Sequence, residues 1–201
     1  MADSDFTGDT LGGFLERVAS HDPAPGGGAA AAVSAALAAG LVAMVARFSV
    51  SEVPDAPEVA GEADRLRHEA LRLAGQDAEA YRAVLGASRL PKDSPDRPGR
   101  IHSAIEDAAD VPLRIAATAA RIATLGSRLA WEGNPNLQGD AVVAVLLVDA
   151  AAKGADRLVE LNVSLGGLDG PWRKLSAGHV ATTTDAVLAL DRSGGLPGEG
   201  Q

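Results

Sequence analysis

The sequence predicts an all-α protein, a single-domain bundle of five or six main helices, on three observations. Apolar residues make up 46% of the 201 residues but aromatic residues only 3%, so the apolar content is mostly Ala, Leu and Val. Ala and Leu are strong helix formers, whereas strands favour β-branched and aromatic residues. Apolar residues recur at helical spacing in several segments, and no strong run alternates apolar with polar residues. One domain over 1–201 is expected, with mobile tails at about 1–9 and 192–201.

The first two helices are predicted on either side of a turn rich in proline and glycine. The segment LGGFLERVAS indicates a short helix with Phe14, Leu15 and Val18 on one side. It ends before the first proline, because the residue before a proline avoids the helical region. The segment PAPGGG forms the turn, and a long Ala-rich helix follows it to about Phe48.

This Ala-rich helix allows more than one interpretation. Residues 29–46 carry no formal charge, which satisfies the length rule for a membrane span. However, Ala enters lipid only weakly, no aromatic belt flanks the segment, and the other helices are amphipathic or short. We therefore prefer a central bundle helix whose small residues allow neighbours to approach closely, and whose surface also suits a subunit interface.

Two long helices are predicted in the middle of the chain. The first spans about 58–87, and its buried face is marked by Leu66, Ala70, Leu73, Asp77, Ala80 and Val84. A loop with three prolines separates it from the second, which begins near Ile101. Pro112 lies within that second helix and is expected to kink it or to split it in two.

Two more helices are predicted in the last third of the chain. Asn134 followed by Pro135 has the signature of an N-cap and first helical position. The helix beyond this pair is nearly all apolar at first and extends to about Ser164. A last helix is predicted from about Trp172 to Leu190.

The composition excludes several classes of function. The net charge is −9 and the 18 Lys and Arg residues are scattered, which argues against a nucleic-acid surface and against anionic membranes. Cysteine is absent, which excludes disulfides and thiolate metal sites, and the four histidines lie far apart. The acidic N-terminus does not resemble a signal peptide. We expect a cytoplasmic protein with neither a metal site nor a cofactor.

The run Pro25, Gly26, Gly27 and Gly28 stands directly before the long helix and has two explanations. Glycine is a costly choice at a helix start, because it loses the most entropy on folding. Bare backbone there exposes N–H groups at the positive end of the helix, where an anion or a carbonyl group binds. Alternatively, the glycines allow only a tight turn between packed helices. The spacing matches neither dinucleotide-binding nor P-loop motifs.

Four segments in order resemble the cyclodeaminase/cyclohydrolase family, which includes the C-terminal domain of formiminotransferase–cyclodeaminase and stand-alone methenyltetrahydrofolate cyclohydrolases. The segments are FLERVASHDPAPGGGAAAAVSAALAAGLVAMVARFS, DAEAYRAVLGASRLPKDSPD, VPLRIA and GNPNLQGDAVVAVLL. They cover roughly residues 10–168. The resemblance implies an all-α homodimer with a folate site near the subunit interface. It also implies acid–base chemistry on the one-carbon unit of tetrahydrofolate, without metal or redox cofactor.

The resemblance transfers three groups of positions to this chain. Those that match the family pattern are Pro25 to Gly28, then Asp77, Tyr81, Leu90, Pro91 and Lys92, then Asn134, Asn136 and Asp140. From it we expect Pro25, Gly26, Gly27, Gly28, Lys92, Asn134 and Asn136 to bind the substrate. The sequence departs from the pattern twice, because Gly139 replaces a serine and Glu52 stands near the place of a Gly-Lys pair.

Asp77 and Asp140 are the candidate catalytic residues. Closing a formimino group and hydrolysing a methenyl cation both require a positioned proton-transfer group. Asp77 interrupts an apolar face, where a carboxylate is costly unless it is paired; the alternative is a structural ion pair. Asp140 precedes a long apolar run, and the alternative is a solvated residue favoured by the helix dipole.

The remaining candidates have weaker support. Lys92 is a candidate to bind a carboxylate of the folate glutamate, although a loop lysine is more often simply solvated. Asp22, Asn162 and His21 are further candidates. The predicted function is therefore a cyclodeaminase or a cyclohydrolase acting on folate. The alternative is a catalytically silent helical dimer that binds a folate-like ligand or a protein partner.

Overall fold

A computed structural model of the chain describes residues 8–192 and confirms the all-α prediction. In this range there are six α-helices and no strand. The helices are α1 Leu11–Val18, α2 Gly27–Arg47, α3 Ala56–Ser88, α4 Arg97–Glu132, α5 Gln138–Gly166 and α6 Trp172–Arg192. A 3₁₀ turn, Pro135–Leu137, precedes α5. Most of the two predicted tails, 1–9 and 192–201, lies outside the described residues.

Helix α2 lies at the centre of the bundle and packs against α3, α4 and α5. Its buried side chains are Ala29, Ala31, Ala32, Ala35, Ala36, Ala38, Ala39, Val42, Ala43, Val45 and Ala46. Such small residues let three neighbouring helices approach the same axis closely. The helix is long and apolar enough for a membrane span, and 56% of its most apolar window is buried inside the bundle. Packing in the core therefore accounts for the uncharged run.

Helices α2 and α5 are antiparallel, as the contacts at their ends show. At one end, the Asn134 side chain before α5 donates to the carbonyl of Phe48 after α2, at 3.0 Å. The backbone N–H of Asn134 also donates to the hydroxyl of Ser49, at 2.8 Å. At the other end, Gly27 and Leu161 line one cavity. The start of α2 therefore lies beside the end of α5.

Ion pairs join the outer faces of α3 and α4. Arg128 donates two hydrogen bonds to the Asp55 carboxylate, at 2.8 and 2.7 Å. Glu69 pairs with Arg114 further along the same two helices. The hydrogen bonds from Arg128 hold the pKa of Asp55 below its ordinary value. These pairs link the partly exposed faces of α3 and α4 beside the buried core.

Helix α1 differs from its prediction. The short helix is present, and of the three residues predicted on one side of it Phe14 is buried, whereas Leu15 and Val18 are 56% and 38% exposed. A helix of eight residues offers too few positions for its spacing to define one face. Thr10 caps the helix by accepting a hydrogen bond from the N–H of Gly13.

Helices α4 and α5 correct two further predictions. Pro112 does not split α4, which continues through it from Arg97 to Glu132. Asn134 caps the 3₁₀ turn by accepting from the N–H of Asn136, and α5 itself begins only at Gln138. As a result, Asp140 lies in the first turn of α5 rather than further along it.

Candidate active site

A cavity of about 360 Å³ opens between the start of α2, the C-terminal part of α3 and the end of α5. We call it the Gly–Asp cavity. It brings together candidate residues from three separate segments of the sequence, namely the glycine run, Asp77 with Tyr81, and Asn162. The lining residues are Pro23, Ala24, Gly26, Gly27, Gly28, Asp77, Ala80, Tyr81, Val84, Ala108, Leu158, Leu161, Asn162 and Leu165.

Asp77 is the carboxylate of this cavity, and it lies at the N-terminal end of α2. Its Oδ2 accepts a hydrogen bond from the backbone N–H of Ala29, at 3.0 Å. Burial raises the pKa of the Asp77 carboxyl, and the hydrogen bond from Ala29 opposes this rise. The described residues supply no ion pair to Asp77. A structural ion pair therefore does not explain its position on the apolar face of α3.

Gly28 lets the carboxylate approach the helix backbone. A Cβ atom on this residue would lie 1.9 Å from the Oδ1 atom of Asp77. A Cβ atom on Gly26 or Gly27 would meet nothing within 4 Å, although both residues line the cavity. The glycines therefore have two different roles. Gly28 is required by its contact with Asp77, whereas Gly26 and Gly27 leave the cavity wall without side chains.

Asn162 forms the opposite wall and is bonded to α4. Pro112 has no N–H, so it cannot donate to the carbonyl of Ala108, four residues earlier. The Nδ2 atom of Asn162 donates to that carbonyl instead, at 2.5 Å. This hydrogen bond from α5 explains why α4 continues through a proline, and it fixes the Asn162 side chain beside the cavity.

Three other predicted site residues, Asn134, Asn136 and Asp140, lie at the far end of the bundle. Asp140 is 22 residues before Asn162 on α5, which corresponds to about 33 Å along the helix axis. The side chain of Asn134 is used in hydrogen bonds to Phe48 and within its own turn. Within a single chain, the structure does not bring these three residues to the Gly–Asp cavity.

The remaining candidates do not line the cavity. Pro25 is buried in the turn before α2. Lys92 is exposed in the loop after α3, at the same end of the bundle as Asp77. His21 is exposed, and Asp22 lines a second cavity rather than this one.

The apolar wall of the cavity was not among the residues predicted from the sequence. Leu158, Leu161 and Leu165 line it from α5, and the last two are 64% and 69% exposed. Their spacing of three and four residues places them on one helical face, which was a usable signal. Among the described side chains, no group of three or more His, Cys, Asp or Glu residues is arranged to hold a metal ion.

Comparison with known proteins relates the chain to enzymes of folate metabolism. The sequence model of the formiminotransferase-cyclodeaminase family matches residues 10–166. A methenyltetrahydrofolate cyclohydrolase from Methylorubrum extorquens is 35% identical over 171 residues, covering 80% of this chain and 81% of that protein. The formimidoyltransferase-cyclodeaminase of Rattus norvegicus is 30% identical over 171 residues; the match covers 77% of this chain but only 30% of the rat protein.

A solved structure has the same fold over nearly all of the chain. The crystal structure of formiminotetrahydrofolate cyclodeaminase from Thermotoga maritima superposes with a TM-score of 0.81 at 26% identity. The superposition covers 91% of this chain and 94% of the Thermotoga chain. The similarity therefore extends well beyond the motifs around Gly28 and Asp77.

Proposed function

The chain belongs to the formiminotransferase-cyclodeaminase family, and from this premise we propose that it hydrolyses 5,10-methenyltetrahydrofolate to 10-formyltetrahydrofolate. It is a folate one-carbon enzyme of the cyclohydrolase/cyclodeaminase class. Among the relatives compared, the Methylorubrum cyclohydrolase combines the higher identity with coverage of most of both chains. That observation favours hydrolysis.

The proposed reaction requires one proton acceptor beside a cationic carbon. Water adds to the methenyl carbon and gives up one proton. The bond between N5 and that carbon then breaks, N5 takes the proton of the new hydroxyl group, and the carbonyl of the 10-formyl group forms. The net reaction consumes one water and releases one proton, so it is balanced without an oxidant or a reductant.

We assign Asp77 as the group that accepts the proton. Its Oδ2 is held by the N–H of Ala29, which fixes the direction of the carboxylate. Burial raises its pKa, and a general base becomes more effective as its pKa approaches the working pH. The negative charge also attracts the cationic methenyl carbon, and the bare wall at Gly26 and Gly27 leaves room for the flat pterin ring.

Cyclodeamination of 5-formiminotetrahydrofolate is the second candidate activity. The fold shared with the Thermotoga cyclodeaminase favours it. In this reaction N10 attacks the formimino carbon and loses its proton, and the bond between that carbon and the formimino nitrogen breaks. The nitrogen, which carries one hydrogen, leaves as ammonia after gaining two protons, one equivalent to that lost by N10 and one from an acid. Asp77 in its protonated form would donate a proton to the departing nitrogen, which again suits a carboxyl whose pKa is raised by burial.

We further propose that the active form is a homodimer built on the exposed apolar face of α2 and α5. At α2 this face includes Leu37 and, directly after the helix, Phe48, which are 55% and 64% exposed. On α5 it includes Val143 and Leu146, at 48% and 49%. Several large exposed apolar residues on two helices that pack together indicate an interface rather than a solvated surface.

A two-fold axis perpendicular to α5 would give Asp140 a role in the site. Such an axis places the two copies of α5 antiparallel, so that residues near its start face residues near its end. The Asp140 of one chain would then approach the Gly–Asp cavity of the other, together with Asn134 and Asn136. This arrangement would combine the predicted site residues that are about 33 Å apart within one chain.

The test of the proposed activity is a spectroscopic assay on the purified protein. Hydrolysis removes the absorbance of the methenyl group, and cyclodeamination of the formimino substrate produces it. We expect wild-type protein to accelerate the loss of methenyl absorbance above the spontaneous rate. Folate binding without turnover of either substrate would instead support the silent binding protein. Light scattering gives the assembly, and a mass of 20.3 kDa at all concentrations would contradict the dimer.

A further inference from the structure

A second cavity, of about 630 Å³, adjoins the Gly–Asp cavity, and no step of the proposed reaction uses it. Three arginines line it: Arg17 from α1, and Arg82 and Arg89 from the end of α3 and the residue after it. We call it the arginine cavity. Pro23 and Ala24 line both cavities, which therefore adjoin at the turn before α2.

Two of these arginines are available to a ligand. In the part of the chain that the structure describes, Arg82 and Arg89 take no part in an ion pair or a side-chain hydrogen bond. Elsewhere on α3 and α4 the arginines mostly pair with carboxylates; those that do are Arg65, Arg67, Arg72, Arg114, Arg121 and Arg128. On a protein with a net charge of −9, two uncompensated guanidinium groups at one cavity are a local exception.

Two other charged residues, Arg17 and Asp22, line this cavity. Arg17 pairs with Asp9, at 2.7 Å, so its charge is largely neutralised. The carboxylate of Asp22 lines the same wall and offsets part of the remaining positive charge. Arg82 and Arg89 still give the cavity an excess of positive charge.

The positions of Asp77, Arg82 and Arg89 along α3 would allow one extended ligand to occupy both cavities. Asp77 faces the Gly–Asp cavity, and Arg82 and Arg89 follow it by five and twelve residues, or about 7.5 and 18 Å along the helix axis and roughly a third of a turn around it. A ligand that reaches from Asp77 to both arginines therefore curves around α3 at the turn before α2. Folates have the same order of groups, because a p-aminobenzoyl spacer joins the one-carbon unit to a glutamate with free carboxylates. Guanidinium groups bind carboxylates through paired, charge-assisted hydrogen bonds.

We propose that the arginine cavity binds the glutamate carboxylates of the folate, through Arg82 and Arg89, while the one-carbon unit lies at Asp77 in the adjoining cavity. This inference rests on the proposed function, since it assumes a folate ligand. It places the carboxylate-binding role on α3 rather than on Lys92, which is exposed and lines neither cavity.

The test measures binding with two ligands that differ in the glutamate. Calorimetry with 5-formyltetrahydrofolate and with 5-formyltetrahydropteroate, which lacks the glutamate, gives a dissociation constant for each protein. We expect Arg82→Gln and Arg89→Gln each to weaken binding of the folate about tenfold, and to change that of the pteroate by less than about twofold. Asp22→Asn should tighten binding of the folate, because it removes a repelling charge.

Two further variants serve as controls. Arg65→Gln removes an arginine from the same helix, where its ion pair with Glu62 is on the surface, and should leave both constants unchanged. Lys92→Gln tests the loop lysine. Equal losses for both ligands, no loss for either, or a selective loss in Lys92→Gln alone would overturn the proposal, as would wild-type protein that binds neither ligand. Selective binding without turnover would support the arginine cavity while contradicting the proposed activity.

Discussion

At the scale of single residues, the buried carboxylate of Asp77 lowers the stability of the fold, and its proposed role in the site explains why it is present. Its carboxylate is mostly buried, receives one backbone hydrogen bond and has no ion pair among the described residues, so ionisation of Asp77 is disfavoured in the folded chain. An apolar residue at this position would pack against α2 without that penalty. A costly group kept at the wall of a cavity indicates a functional role.

We expect Asp77→Asn to abolish most activity without loss of stability. The amide oxygen still accepts the N–H of Ala29, while the proton-accepting carboxylate is gone. Turnover should fall by on the order of 10²- to 10⁴-fold, the usual contribution of a positioned proton-transfer group. The melting temperature near neutral pH should be equal to that of wild type or higher. Unchanged turnover would remove Asp77 from the mechanism.

The pH dependence of stability gives an independent check on Asp77. Its pKa in the folded chain is raised above the ordinary value of 3.8, so the folded state binds more protons than the unfolded state between these two values. The contribution of Asp77 to stability is therefore fully present below its pKa in the unfolded chain. It is lost as the pH rises through its higher pKa in the folded chain. Melting curves of wild type and Asp77→Asn should diverge, in favour of the variant, as the pH rises above the ordinary pKa of an aspartate. Parallel curves would contradict the raised pKa.

Gly28 and Gly27 form a matched pair of variants. Gly28→Ala places a methyl group 1.9 Å from the present position of Asp77 Oδ1, so the carboxylate must leave the N–H of Ala29. We expect a loss of activity together with about 1–3 kcal/mol of stability, the usual cost of overpacking. Gly27→Ala meets open space and should be neutral or slightly stabilising in thermal melts. Equal melting temperatures for the two variants would contradict this contact.

At the scale of helices, the bond between Asn162 and α4 can be measured. Asn162→Ala leaves the carbonyl of Ala108 without its donor and should cost about 1–3 kcal/mol in the free energy of unfolding. Pro112→Ala restores a backbone N–H four residues after Ala108. In the Pro112→Ala variant, Asn162→Ala should therefore lower the free energy of unfolding clearly less than it does in wild type. Denaturant unfolding of both single variants and the double variant gives the coupling energy, and a value of zero would contradict the exchange of donors.

The sequence predicted those helices in which apolar residues recur at regular helical spacing. Helices α2 and α3 have long apolar faces at regular spacing, and both were recognised with nearly correct ends. The continuity of α4 through Pro112 was not predictable in the same way, because the compensating donor, Asn162, is 50 residues away in the sequence. Compensation by a distant residue leaves no trace in the local pattern.

The candidate site was predicted in part, for a similar reason. The glycine run and Asp77 were selected separately, and their contact follows from the pairing of α2 with α3. Asp140 was predicted from its match to a family motif. The order of motifs along a sequence does not give the distances between them in the folded chain, so the separation of Asp140 from Asp77 was not predictable. The arginine cavity was missed because Arg17, Arg82 and Arg89 are scattered in the sequence and become neighbours only through folding.

At the scale of the whole molecule, mixed dimers test whether Asp140 acts across the interface. Asp77→Asn and Asp140→Asn should each be inactive alone. Refolded together in equal amounts, half of the dimers contain one chain of each kind, and one of their two sites has both carboxylates. We therefore expect activity to recover to roughly a quarter of wild type, as follows from a two-fold symmetric site. No recovery, with mixed dimers demonstrated by mass, would place both residues in one chain or remove Asp140 from the site.

The pairing of Asn162 with the proline gap in α4 also constrains how this protein can change during evolution. A lineage that replaces Pro112 regains a backbone donor for the Ala108 carbonyl. The hydrogen bond from the amide of Asn162 is then no longer needed for the continuity of α4. Because Asn162 borders the Gly–Asp cavity, it would become free to contact a substrate. A substitution in α4 that appears to concern only helix geometry is thus a route to altered specificity, and the two positions should be inherited together wherever the present chemistry is retained.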